Sequence, residues 1–179
     1  MTGIMLETKR LILRKAEVAD ADDLLEINHD EVVLKYNCIS PMTKEEMIEN
    51  IQKDETNHRL AIELKEIHKI IGNIDIERDS LRYGVRCSMI SYELNTLYTG
   101  KGYMSEAIKE VLRYLFDDVK VDLVSARVFT PNEKSNRLLQ KLGFTLEGTL
   151  KHAVKAYKDI IYDDNLYCLT KDEYYRLFI

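Results

Sequence analysis

The sequence has few of the residues that cross-link a chain or interrupt it. Only three of its 179 residues are cysteine, two are proline and none is tryptophan. Cys38, Cys87 and Cys168 lie far apart and form no Cys-x-x-Cys pair, so the sequence indicates neither a disulfide framework nor a zinc knuckle. Because the four histidines also lack the spacing of metal ligands, we expect no metal site.

Long apolar segments and an excess of positive charge are missing as well. No run approaches the roughly 18 apolar residues of a membrane-spanning helix, and the amino-terminal segment lacks the apolar core of a signal peptide. We therefore expect a cytoplasmic protein with no membrane partner. The net charge of −5 argues against nucleic-acid binding, which normally needs a basic face. An acidic surface attracts cations such as amines, although it is also an ordinary surface for a soluble protein.

The remaining composition is that of a globular protein. Hydrophobic residues make up 45% of the chain and charged residues 32%. The chain contains no internal repeat, low-complexity tract or linker, and its length suits one domain with its own core. We expect a single domain over residues 1–179.

The apolar pattern predicts alternating strands and helices in a mixed α/β layer fold. Thr43 and Glu46 have the spacing of a capping box, and Gly143 stands where a left-handed helix end is expected. Strands are predicted over 11–14, 59–64, 69–77, 88–94, 121–129, 144–151 and 160–169. Helices are predicted over 20–28, 43–54 and 133–142, from Met104 to Phe116, and near Tyr174.

Two glycines, Gly100 and Gly102, precede the strongest amphipathic helix of the sequence. Glycine permits a positive φ and lets main-chain N–H groups approach a ligand, while the start of a helix adds unpaired N–H donors. Together these features suit a pyrophosphate. The alternative is a plain loop in which the glycines only permit a turn. Ser105 stands where a dinucleotide fingerprint needs a third glycine or alanine, and Gly102 stands where a P-loop needs serine or threonine.

Two segments together resemble the GNAT acetyltransferase superfamily. They are Tyr98-Thr-Gly-Lys-Gly-Tyr-Met-Ser-Glu-Ala107 and Asn132-x-x-Ser-x-x-Leu-Leu-x-Lys-Leu-Gly-Phe144. The RimJ/RimL-type protein N-terminal acetyltransferases are the branch that they resemble most, since Thr8-Lys-Arg-Leu-Ile-Leu-Arg14 and Phe144-Thr-Leu-Glu-Gly148 also fit it. The resemblance spans residues 6–175. It implies a mixed, mostly antiparallel central sheet with a splayed strand pair and helices on both faces.

The resemblance also implies a site for acetyl-CoA as cosubstrate. The main chain around Tyr92 and Leu94 is expected to pair with the pantetheine arm, and Asn132 and Ser135 to face that arm and the acyl sulfur. Leu97 departs from the family, whose turn often begins with Gln or Arg, and we expect one polar contact fewer. The pyrophosphate is expected on the main chain of Tyr98, Thr99, Gly100, Lys101, Gly102, Tyr103, Met104 and Ser105.

Acetyl transfer to an amine needs a base, a donor for the thioester carbonyl and a proton for the leaving sulfur. Glu93 and Glu147 are the candidate bases, although a surface carboxylate is the default role for either. A main-chain N–H near Leu94 is the candidate carbonyl donor. Ser135 is the candidate acid, with helix capping as its alternative role, and Asn132 is a natural N-cap.

We therefore expect an N-acetyltransferase that moves an acetyl group from acetyl-CoA directly to a primary amine, as the resemblance implies. A protein N-terminal α-amine is the first acceptor to test. A small amine such as a polyamine, an amino acid or an antibiotic is the alternative. A coenzyme-binding sensor without turnover is the third hypothesis, which Leu97 keeps open. The sequence leaves the oligomeric state open, a homodimer included.

Overall fold

The structure is a computed structural model that describes residues 4–55 and 58–178. Within these residues the chain forms eight strands and six α-helices. The strands are β1 (Leu6–Glu7), β2 (Leu11–Arg14), β3 (Arg59–Leu64), β4 (Lys69–Glu77), β5 (Cys87–Leu94), β6 (Leu123–Phe129), β7 (Thr145–Lys155) and β8 (Ile161–Thr170). The helices are α1 (Ala21–Asn28), α2 (Glu31–Lys35), α3 (Lys44–Lys53), α4 (Tyr103–Arg113), α5 (Glu133–Lys141) and α6 (Lys171–Phe178). Residues 1–3 lie outside the described part, and they belong to the amino-terminal segment in which we expect no signal peptide.

The strands belong to one sheet, in the order β1-β2-β3-β4-β5-β6-β8-β7. β1 to β4 pair antiparallel in succession, and β8 pairs antiparallel with both β6 and β7. β5 and β6 are parallel, and their register runs from Cys87 opposite Leu123 to Ile90 opposite Ala126. The predicted mixed α/β fold with a mostly antiparallel sheet is therefore confirmed.

The chain groups into two compact units. The first comprises Met1–Asp75 and Tyr92–Glu110, and the second comprises Ile76–Ser91 and Val111–Ile179. Both β4 and β5 contribute residues to each unit. The single domain expected over residues 1–179 stays a prediction.

In the first unit, a small hydrophobic core forms where α1 meets the sheet. Leu24 and Ile27 of α1 are three residues apart, so they lie on one helical face, and both are buried. They share a cluster with Val33, Ala61 and Ile70. α3 adds partly buried residues to this cluster, and its predicted capping box is present, since Thr43 Oγ1 accepts from the Glu46 N–H.

α4 is the strongly amphipathic helix that the sequence predicts. Its apolar stripe continues beyond Arg113 into a wider helical turn over Tyr114–Val119, and the chain leaves that turn at Lys120 in the left-handed conformation. Every predicted apolar residue of the stripe is buried, namely Met104, Ala107, Ile108, Val111, Leu112, Leu115 and Phe116. α5 ends as predicted, because Gly143 has a φ of +87°. Leu138 is only half-buried, whereas Leu139 and Leu142 are buried as expected.

Two elements were not predicted. β1 has two residues, too few for a periodic pattern, and it is held by pairing with β2. α2 has five residues, and Asp30 stabilises its start by accepting from the N–H groups of Val32 and Val33. β7 also extends further than expected, to Lys155 rather than residue 151. Across residues 4–55 and 58–178, none of the helices has the length and apolarity needed to cross a bilayer.

Candidate functional site

The glycine turn (residues 98–105) lies in the first unit and runs into the first turn of α4. Gly100 and Gly102 have φ values of +76° and +80°, in the left-handed region that favours glycine. Both residues are exposed, and a Cβ placed on Gly100 would meet no atom within 4 Å. The main chain is therefore exposed at Gly100 and Gly102, and its role in binding the coenzyme stays a prediction.

The first turn of α4 presents main-chain donors beside these glycines. The first hydrogen bond that closes the helix joins the Glu106 N–H to the Gly102 carbonyl, at 3.0 Å. The N–H groups of Tyr103, Met104 and Ser105 precede this bond, in the positions where a helix leaves its amides without an intrahelical acceptor. Such N–H groups and the helix dipole favour an anion.

Side chains from α1 and α2 anchor the segment that leads into the glycine turn. The buried side chain of Asn95 donates to Glu26 at 2.7 Å, and Thr96 donates to Asp30 through its hydroxyl at 2.6 Å. Asp30 is the residue that caps α2, so one carboxylate ties two elements together. Burial opposes the ionised form of Asp30, but hydrogen bonds from Thr96 and from α2 lower its pKa below the ordinary value.

Arg10 anchors the turn from the other side. Its guanidinium donates to Glu106 of α4 at 2.7 Å and to the Lys101 carbonyl at 3.0 Å, and it stacks 4.4 Å from the centre of the Tyr103 ring. Thr8 adds a second bond to Glu106, at 2.6 Å. The amino-terminal motif that fits the family therefore has a physical role, because Thr8 and Arg10 hold the glycine turn in place. The amino-terminal motif contains Arg10 and the motif around the glycines contains Glu106, but the sequence alone does not show that these two charges form a pair.

The end of β5 lies very close to β4. A Cβ on Gly72 would lie 2.4 Å from the Glu93 carbonyl oxygen, so only glycine fits there. The Asn95 N–H donates to the Ile71 carbonyl at 2.9 Å. Alternate residues of a strand direct their main-chain groups to opposite edges. Because Glu93 and Asn95 direct theirs toward β4, the N–H of Leu94, which lies between these two residues, is directed away from β4. The Leu94 N–H is the candidate donor to the thioester carbonyl that we expect from the sequence.

Glu93 lies in a polar cluster built from three strands and the segment after α2. Asn37 donates to Glu93 Oε2 at 2.6 Å. Asn73 and Asp75 alternate along β4, and Asp75 pairs at 2.7 Å with Arg59, which lies opposite it on β3. The half-buried Glu93 side chain is densely surrounded, and burial raises its pKa from 4.5 to about 7.

Neighbouring groups modify this pKa in both directions. The charge of Arg59 and the amides of Asn37 and Asn73 favour the ionised form, whereas the charge of Asp75 opposes it. Sequence reasoning proposed Glu93 but missed these four neighbours. Two polar residues at alternate positions in the apolar strand β4 were the signal available for Asn73 and Asp75.

Asn132 and Ser135 lie in the second unit, at the start of α5. Asn132 caps the helix by accepting from the Ser135 N–H at 3.4 Å, as expected from the sequence. The neighbouring Asn136 is buried and fully engaged. Its amide donates to the Asn132 carbonyl at 2.8 Å, and its oxygen accepts from the Tyr167 hydroxyl at 2.8 Å. Sequence reasoning missed this pair, which fixes the first turn of α5 against β8.

Glu147 also lies in the second unit, where it forms an ion pair with Arg82. Arg82 also binds Asp79 at 3.1 Å, and Ser125 donates to Asp79 at 2.8 Å. Burial raises the pKa of the nearby Cys168 thiol to about 11, which disfavours a thiolate. Because of its ion pair with Arg82, the Glu147 carboxylate is already engaged by a cation.

The candidate residues divide between the two units. The first unit brings together the end of β5, Glu93 and the glycine turn, whereas the second holds Asn132, Ser135 and Glu147. Among residues 4–55 and 58–178, no group of three or more histidine, cysteine or carboxylate side chains has the arrangement of a metal site.

Comparison with known proteins gives a consistent result. The family model described as an acetyltransferase (GNAT) domain matches residues 10–145. The chain is 33% identical over 176 residues to p20 of Bacillus licheniformis, an uncharacterized N-acetyltransferase, with 94% of this chain and 97% of the relative covered. It is also 33% identical over 174 residues to the uncharacterized N-acetyltransferase YoaA of Bacillus subtilis (strain 168), with 93% and 97% covered.

Solved structures extend the comparison. A GNAT-family acetyltransferase from Bacillus anthracis is 25% identical, with a TM-score of 0.84 and 94% of this chain and 99% of that chain covered. The ribosomal-protein-S5-alanine acetyltransferase of Vibrio fischeri shares the fold at 21% identity, with a TM-score of 0.78 and 96% and 98% covered. The microcin C7 self-immunity acetyltransferase MccE, in complex with acetyl-CoA and AMP, shares it at 22% identity, with a TM-score of 0.79 and 91% and 93% covered.

Proposed function

This chain belongs to the GNAT acetyltransferase family and is an acetyl-CoA-dependent N-acetyltransferase, and we propose that its acceptor is the α-amine of a protein amino terminus. Acetyl-CoA supplies the acetyl group as a thioester. The residues of the chain bind the coenzyme, orient the amine and move the proton.

The glycine turn is the proposed site of the coenzyme pyrophosphate. The positive φ of both glycines, the open space at Gly100 and the leading amides of α4 all fit an anion held by main-chain donors. Bonds from Arg10 and Thr96 hold the turn in shape before any ligand arrives. The Leu97 side chain is 71% exposed, so the missing polar residue leaves the main-chain donors intact.

The Leu94 N–H is the proposed donor for the thioester carbonyl. The close approach of β4 at Gly72 fixes this part of β5, so the donor is held in place. A single main-chain or side-chain donor of this kind typically contributes about 10²–10³ in rate.

Glu93 is the proposed base, and its pKa is the observation that carries the choice of acceptor. A base with a pKa of about 7 is about half ionised at neutral pH, so a substantial fraction can accept a proton there. The pKa of an α-ammonium is about 8, which is about 1 above that of Glu93, whereas the pKa of a lysine ammonium is about 3 above it. Proton transfer to Glu93 is therefore less unfavourable from an α-ammonium than from lysine. The pKa of Glu93 is therefore matched to an α-amine.

Ser135 remains the proposed acid for the leaving sulfur, and Asn132 the proposed contact to the pantetheine arm. We assign the base to Glu93 rather than to Glu147, because Arg82 already engages the Glu147 carboxylate. The cytoplasmic location expected from the sequence belongs to the same proposal, since ribosomal and other newly made proteins expose their amino termini there.

The test is release of the coenzyme thiol from acetyl-CoA in the presence of a panel of amines. Peptides with free amino termini should give thiol release, and mass spectrometry should find one acetyl group on the terminal nitrogen. The same peptides with a blocked terminus and a free lysine are the matched control and should give none.

Two other outcomes would replace the proposal. Turnover with free amino acids, polyamines or aminoglycosides but with no peptide would identify a small-amine acetyltransferase. Tight binding of acetyl-CoA without transfer to any amine would indicate a sensor.

A further inference from the structure

The second unit contains a cavity that the proposed reaction does not use. Its volume is about 270 Å³, at the small end for a ligand site. Met89, Leu166 and Leu81 give it apolar walls, while two arginines, Arg82 and Arg127, supply positive charge at its lining. All of its lining residues belong to the second unit.

Arg82 is already held by two carboxylates. Its guanidinium bonds to Asp79 and pairs with Glu147, so two carboxylates already neutralise one cation. Asp79 is engaged as well, because it accepts from Arg82, from the Ser125 hydroxyl and from the Leu81 N–H. The polar groups in this part of the lining bind mainly to one another.

Arg127 differs from Arg82. In the described part of the chain its guanidinium makes one hydrogen bond, from Nε to Asp164 Oδ2 at 2.7 Å. The side chain keeps 35% of its surface exposed. The bond at Nε fixes the plane of the guanidinium, and the edge formed by its two terminal nitrogens is left to donate.

Asp164 holds Arg127 but neutralises it incompletely. It is 2% exposed, and among the described residues its Oδ1 has no hydrogen-bond partner, so it does not form a two-bond fork with the arginine. Burial raises its pKa above the ordinary value, which further weakens it as a counter-ion. Arg127 is therefore an oriented cation whose outer edge has no hydrogen-bond partner among the residues that the structure describes.

We propose that this cavity binds a small monocarboxylate whose carboxylate pairs with the outer edge of Arg127 and whose apolar body lies against Met89 and Leu166. The planar fork of arginine matches a carboxylate in two parallel hydrogen bonds. A cation would have to displace Arg82 from Glu147. A dianion such as phosphate would meet stronger repulsion than a monocarboxylate from Glu147 and Asp79, which also line the cavity.

Titration calorimetry with the full chain tests the proposal, with 4-methylpentanoate as the probe and 4-methylpentanamide as its uncharged match. The carboxylate should bind, and the amide and inorganic phosphate should bind about tenfold more weakly or worse. The Nε resonance of Arg127 in a ¹⁵N spectrum should shift with the carboxylate only.

Two variants locate the binding. Arg127→Lys keeps the charge but removes the fork, and should weaken the carboxylate about tenfold. Arg137→Lys is its matched control, because Arg137 is exposed on α5 and does not line the cavity. Leu166→Phe leaves the charges of Arg127 and Asp164 in place, fills the cavity from the position opposite Arg127 and should also weaken binding. Thermal unfolding of each variant checks that it is folded.

Equal affinity for amide and carboxylate, or unchanged affinity in both Arg127→Lys and Leu166→Phe, would overturn the proposal. The acetyl-transfer assay then shows whether the bound carboxylate belongs to the amine acceptor or to a separate molecule. Competition between 4-methylpentanoate and the amine acceptor identifies a carboxylate on the acceptor itself. A changed kcat without competition identifies a separate effector.

Discussion

Glu93→Gln is the substitution that separates the chemistry of the base from the stability of the fold. In the folded protein burial raises the pKa of Glu93 from 4.5 to about 7. Between these two pH values the folded state holds a proton that the unfolded state has lost, so stability falls as the pH rises through this window. At about 1.4 kcal/mol for each pH unit, the loss is about 3 kcal/mol at most.

Glutamine has no proton to lose and should be spared this loss. We expect the free energy of unfolding of Glu93→Gln to match that of the natural protein near pH 4.5 and to exceed it by about 2 kcal/mol at pH 8, since the half-buried side chain keeps some contact with water. At pH 8 the value of kcat/KM should nevertheless fall about a hundredfold or more, because the base is gone.

Urea unfolding followed by circular dichroism at several pH values measures the first quantity, and thiol release measures the second. Glu66→Gln, an exposed carboxylate in the turn between β3 and β4, is the control and should leave both unchanged. A stability difference between Glu93→Gln and the natural protein that does not vary with pH would refute the account of a half-buried carboxylate that holds a proton in the folded state. Retained activity at pH 8 would refute its role as base.

The other predictions concern the coenzyme turn, the acid and the close strand contact. Gly102→Val should abolish acetyl-CoA binding in calorimetry, because a β-branched side chain resists a φ of +80° and crowds the anion. Gly84→Val, with a φ of +69° and no atom within 4 Å of an added Cβ, controls for backbone strain and should bind normally. Ser135→Ala should lower kcat and leave the acetyl-CoA affinity nearly intact, and a loss of affinity instead would make Ser135 a binding residue only. Gly72→Ala should destabilise the protein in urea by about 1–3 kcal/mol and lower kcat, because its Cβ would meet the Glu93 carbonyl at 2.4 Å; an unchanged unfolding midpoint would argue against the close contact.

Local patterns predicted most of the fold. The apolar stripe from Met104 to Phe116, the capping box at Thr43 and the left-handed Gly143 all depend on residues a few positions apart, and the structure has all three. β1 and α2 escaped prediction because their stability comes from partners elsewhere in the chain. The two residues of β1 are ordered by β2, and Asp30, which caps α2, also accepts a hydrogen bond from Thr96.

The candidate site was predictable in its parts but not in its connections. The positive φ of Gly100 and Gly102 follows from residue type and position. The bond from Arg10 to Glu106 spans 96 residues and the one from Asn37 to Glu93 spans 56, so no local pattern reports them. The pKa of Glu93 depends on such long-range packing, and for that reason sequence alone left it level with Glu147.

A crystal structure of the protein with coenzyme A bound is the most direct test of the account. We expect the pyrophosphate against the main chain of Gly100 to Ser105, with the N–H groups at the start of α4 as donors. Density for the pyrophosphate at any other part of the surface, or glycines whose φ values turn negative in the complex, would contradict it.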